Sequence, residues 1–166
     1  MFKKFFLLIL TIFITTSFVF ASESYTLKAG ISIDKIPKEF YGTWRVTSKL
    51  LSSNNAEIFR ENSVDLWNLS RVGDVITLDN PFSGAHASIM VNEVSDRLIK
   101  FQKIGAYDDS RKLTDIVELT LAKDTFTGIN KLKFDTISQA DGHVIKSDTA
   151  KYRLTGEKIS GDSINK

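Results

Sequence analysis

Apolar and polar residues alternate through most of the chain beyond residue 40, and a period of two predicts strands. From Tyr41 to Leu51, Gly42, Trp44, Val46, Ser48 and Leu50 fall on one face, with Thr43, Arg45, Thr47 and Lys49 on the other. That is the mark of a half-buried strand. Shorter strand-like runs follow at Asp65 to Arg71, Asp74 to Leu78, His86 to Val94 and Leu98 to Ile104. In the last third, Leu113, Val117, Leu119 and Leu121 share one parity, as do Phe126, Leu132 and Phe134, and then Val144, Ala150, Tyr152 and Leu154. The opposite positions are mostly Thr, Lys, Glu, Ser and Arg.

Turn residues separate these runs: Val72-Gly73-Asp74, Asp79-Asn80-Pro81, Ser95-Asp96, Ala122-Lys123-Asp124 and Gln139 to Gly142. Asp141-Gly142 is the strongest hairpin signal, because both residues tolerate positive φ. The stretch "SSNNAEIFRENSV" reads as a long loop or a single helical turn. No segment of ten or more residues keeps a helical period.

About eight strands in succession, each with one apolar face, predict an all-β antiparallel meander. Such strands cover that face by closing on themselves or by pairing with a second sheet. An up-and-down barrel is the first expectation and a β-sandwich the alternative. The interior of an eight-stranded barrel is just wide enough for side chains or one small ligand.

The beginning of the chain sets its expected address. "MFKKFFLLILTIFITTSFVFA" carries Lys3 and Lys4, then an uncharged apolar run, then Val19-Phe20-Ala21, the layout of a secretory signal peptide cleaved after Ala21. The expected organisation is a signal peptide at 1–21, a lead-in segment at 22–39 in which Pro37 blocks a continuing helix, and one barrel domain at 40–166. A mature chain of 145 residues can bury a core without covalent staples. The protein is expected in a periplasm or outside the cell, as a monomer with no stable membrane anchor.

Cleavage would take two of the 22 basic residues and none of the 20 acidic ones, leaving a nearly neutral domain. That balance gives no general field for holding nucleic acid or an anionic bilayer. Cysteine is absent, which excludes disulfides, a thiol nucleophile and an acylated lipoprotein cysteine.

"IPKEFYGTWRV" followed by a strand meander resembles the opening of the lipocalin and calycin group. The resemblance implies a lipocalin-like barrel, with Trp44 plugging its closed end, Gly42 as the close-packing position beside it, and Arg153 on the final strand as the candidate cation over the tryptophan. The chain departs from the lipocalin pattern in mid-barrel, where Thr114-Asp115 is not followed by tyrosine.

Catalytic groups are sparse. His86 and His143 stand near turns without neighbours at metal-ligand spacing, so no metal site or cofactor is called for. "PFSGAHAS" holds Ser83, His86 and Ser88 close together, but it lacks the Gly-x-Ser-x-Gly elbow and reads as a loop. Asp108 and Asp109 read as solvated turn residues rather than a calcium site.

Without a catalytic constellation, the sequence points away from an enzyme and towards an exported lipocalin-like binding protein for a small, largely apolar ligand. The candidate lining is Val46, Leu50, Ile89, Val91, Leu119, Phe126, Phe134 and Tyr152, residues that would equally fill a solid core. Trp67 joins them as a ligand-contact or core residue. The alternative is a non-catalytic structural or interaction module of the cell envelope.

Overall fold

The computed structural model describes residues 33–108, 110–161 and 163–165; the expected signal peptide and the segment 22–32 lie outside them. Eight antiparallel strands follow one another: β1 (Gly42–Ser53), β2 (Asn62–Val72), β3 (Val75–Asn80), β4 (Ala85–Ser95), β5 (Leu98–Asp108), β6 (Arg111–Ala122), β7 (Thr125–Ile137) and β8 (Val144–Ser160). Each pairs with the next, and β1 pairs with both β2 and β8, so the hydrogen bonding runs round a ring. The ring decides for the barrel-like arrangement over the sandwich. A three-residue strand, β9 (Ser163–Asn165), adds in parallel to the end of β2.

The alternation maps onto inside and outside. Trp44, Val46, Trp67, Leu69, Ile76, Leu78, Ile99, Phe101, Val117, Leu119, Phe126 and Leu154 are buried in one continuous core, and their sequence neighbours on each strand are mostly half-buried or exposed. Among the described residues no helix is long and apolar enough to cross a membrane.

The two ends of the barrel are finished differently. At one end two 3-10 turns, Ile33–Lys35 and Lys38–Phe40, cross beneath the strands, and Ile36, Phe40 and Tyr41 are buried there. An ion pair between Asp34 and Arg71 at 3.0 Å fastens the first turn to β2. The chain then enters β1 through Gly42, whose φ is 115° and whose missing Cβ leaves room for the carbonyls of Ser160 and Gly161. Any other residue there would be strained in φ and pressed into backbone.

At the other end residues 54–61, between β1 and β2, form a loop rather than a helical turn. Asn54 latches it to β8: its backbone N–H donates to Thr149 O, its Nδ2 donates to Ser147 O, and its Oδ1 accepts from Thr149 N. Phe59 is turned inward from this loop and packs on Phe134, with ring centroids 6.1 Å apart.

Candidate functional site

The barrel interior is the first place to look for a ligand, and its half nearest the 3-10 turns is filled by aromatic rings. Phe40 meets Phe101 at 5.8 Å, Phe101 meets Trp67 at 6.3 Å, Trp67 stacks on Phe126 at 6.0 Å, and Phe126 meets Trp44 at 5.1 Å. Rings in edge and offset contact at these separations attract one another beyond their area of burial. Gly156 makes the column possible, since a Cβ there would strike the Phe126 ring.

Trp44 is fully buried, and its indole Nε1–H donates to Phe40 O at 3.0 Å. The cation over its ring is Lys158, 5.2 Å from the ring centroid, with Nζ also donating to Glu39 O at 2.8 Å. Arg153, the expected cation, does not lie there. Tyr152 and Leu154 are buried in the core, and the period of two turns Arg153 outward to solvent.

The other half of the interior is polar in a way the apolar list did not anticipate. Asp115 is buried beside Val117 and Leu119; it accepts from Asn130 Nδ2 and pairs with Lys103 Nζ at 3.0 Å. Asn130 also donates to Ile116 O at 3.3 Å. Across the barrel, Asn80 Nδ2 donates to Asp65, and the Asn80 Oδ1 accepts from the N–H groups of Phe82 and Ser83. Asp148 joins the same end, bound by Lys146 Nζ at 3.0 Å and by Asn55 Nδ2 at 3.1 Å. These bonds hold the Asp148 carboxyl below its ordinary range, with the Lys146 bond the largest cause. Each buried carboxylate thus has donors, as burial of a charge requires.

The candidate lining residues share this interior. Val46, Trp67, Ile89, Val91, Leu119, Phe126 and Tyr152 are buried, and Leu50 and Phe134 pack partly buried against them. Trp67 is a member of the aromatic column rather than a free contact surface. The Tyr152 hydroxyl donates to Arg60 O of the loop at 3.1 Å, and burial pushes its pKa up.

Neither histidine is near the interior. His86 at the start of β4 is held by its cross-strand neighbour Asp79 of β3, and His143 by Asp141 in the turn before β8, both exposed. Ser83 Oγ accepts from Ala85 N, and the Asn80 side chain organises the loop, so "PFSGAHAS" is a capped turn. Asp108 likewise binds its own turn: Arg111 and the Ser110 N–H hold its carboxyl low, at about 2. Among the described residues no three His, Asp or Glu side chains are grouped to hold a metal ion.

Two concavities lie on the outer wall. One, of about 510 Å³, is bordered by Ser52, Ser53, Asn54, Thr114, Lys131, Lys133, Thr149 and Lys151. The second, of about 420 Å³, is bordered by Glu118, Thr120, Thr127, Ile129 and Arg153. Comparison with protein families, with characterised proteins and with solved structures finds no match to this chain.

Proposed function

We propose that this protein is an exported interaction module of the cell envelope that acts through the outer wall of its barrel. The observation that carries this reading is the occupied interior: a continuous column of Phe40, Phe101, Trp67, Phe126 and Trp44 at one end, and hydrogen-bonded carboxylates with the inward-turned Phe59 at the other. Both concavities described above open on the outside instead. Export is supported by the Lys3-Lys4 start, the apolar run and the Val19-Phe20-Ala21 end of the first 21 residues.

Native mass spectrometry of the mature protein purified from its own envelope tests the proposal. The expected species is the bare polypeptide, with no uptake of a fluorescent fatty-acid probe. A small molecule retained at one copy per chain overturns it.

One observation favours the carrier reading as the rival: the interior at the end of the 54–61 loop, where Phe59 turns inward onto Phe134, also holds the buried Lys103, Asp115 and Asn130 cluster. A ligand there would be amphipathic rather than purely apolar, because it would lie against a buried carboxylate. On that reading Phe59→Ala raises probe uptake; on ours it leaves uptake absent.

A further inference from the structure

The outer wall of β7, β8 and β1 carries cations set against cations. Lys49 of β1 lies directly opposite Arg153 of β8, and Lys151 of β8 lies directly opposite Lys131 of β7. All four side chains are on the outer face and exposed. Like charges directly opposite one another weaken a sheet, so these pairs do not serve stability.

Their surroundings make the pattern specific. Other cations of the same wall are neutralised: Arg45 by Glu157 and Lys133 by Asp135. Lys49, Lys131, Lys151 and Arg153 make no ion pair among the described residues. With strands about 4.8 Å apart and like-facing residues about 6.8 Å apart, the four form a diagonal stripe about 12 Å long. Lys131 and Lys151 border the larger concavity, whose lining mixes Ser52, Thr114 and Thr149 with the apolar Ile116, Leu132 and Ala150. Arg153 borders the smaller one.

We propose that this stripe binds a linear anionic polysaccharide bearing phosphate or sulfate esters. The argument rests on the outer-wall reading given above and names its partner. Two opposed ammonium groups suit the several acceptor oxygens of an anionic tetrahedral ester, and the guanidinium further along suits a second one. The mixed lining, hydroxyls beside apolar side chains, suits the polar edge and apolar face of the sugar between them. Three of the four cations border recesses of the wall, which fit a chain better than the flat face of a bilayer.

Binding is measured by calorimetry and by fluorescence anisotropy with short labelled dextran sulfate, with neutral dextran, with polyphosphate, and with vesicles containing phosphatidylglycerol. Dextran sulfate is expected to bind with an affinity that falls as salt rises, and neutral dextran not to bind. Lys131→Gln combined with Lys151→Gln is expected to weaken dextran sulfate about tenfold or more, as loss of two charge-assisted contacts does. The control pair Lys38→Gln and Lys123→Gln, which removes the same charge elsewhere, is expected to change it less than about twofold, since only contacting cations set the salt-dependent term. Because relief of repulsion accompanies the first pair, its melting temperature should equal or exceed that of the parent, so lost binding is not lost folding.

Polyphosphate binding as tightly as dextran sulfate removes the sugar from the proposal and overturns it in that form. Equal weakening by both pairs, tighter binding to the vesicles, or no binding to any polyanion overturns it outright. A retained interior ligand in the native mass spectrum overturns the outer-wall reading instead, so the two failures are distinct.

Discussion

The Lys158 ammonium stands 5.2 Å from the centroid of the Trp44 ring while its Nζ donates to Glu39 O. One side chain at the end of β8 therefore fastens both the buried indole and the 3-10 turn that crosses the barrel end. Trp44→Ala should lower stability by about 3 to 5 kcal/mol, as truncation of a large buried aromatic does. Lys158→Met should lower it by about 1 kcal/mol, the scale of a cation over a ring together with a hydrogen bond. In a double-mutant cycle read by urea unfolding, the Lys158 substitution should cost less once Trp44 is gone. Strict additivity would show that Lys158 acts through the Glu39 carbonyl alone.

Gly156 faces the Phe126 ring so closely that no side chain fits between them. Gly156→Ala should destabilise the fold by about 1 to 3 kcal/mol, the cost of overpacking a filled core. The cost should shrink in a Phe126→Leu background, where the ring that the new methyl strikes is absent. If both backgrounds lose the same amount, the strain lies in the β8 backbone and not against Phe126.

The strands were legible in the sequence because alternation reports which face is buried, and the ring followed because one-sided strands need cover. Trp44 was legible for the same reason, standing on the parity of Val46. What stayed hidden is what occupies gaps in that alternation. Asp115 falls between Leu113 and Val117, Asn130 between Phe126 and Leu132, and Asp148 between Val144 and Ala150, all on inward parity. A polar residue at an inward position is visible from sequence, but its partner lies on another strand: Lys103 and Asn130 reach Asp115 only through the β5 to β6 and β6 to β7 registers. The basic stripe was hidden for a related reason. A nearly neutral total conceals clustering, and Lys49 meets Arg153 only because β8 returns to β1. The resemblance points to an arginine on the last strand, but Arg153 stands on outward parity, whereas Lys158, six residues after Tyr152 and on its parity, reaches the ring.

Asp148 links the loop over the lid end to β8 through Asn55, and Lys146 is the first cause of its lowered pKa, with the Asn55 bond next. A carboxylate whose folded pKa is depressed contributes stability that is present above its unfolded pKa and is lost as pH falls through the folded value. The contribution of Asp148 is therefore complete at neutral pH, begins to be lost below about pH 4, where an unrestrained aspartate titrates, and is gone below its lowered folded pKa. Replacing it with the uncharged amide, Asp148→Asn, should lower the melting temperature at pH 7. The gap between variant and parent should begin to narrow as pH falls below about 4 and close only below the depressed folded pKa, where the parent carboxyl is itself protonated. Amide protection in residues 54–61 should follow the same course, weaker in the variant at pH 7 and converging with the parent in acid. A gap that stays constant down to acid pH would mean that Asp148 holds the loop by shape and hydrogen bonding, with its charge contributing nothing.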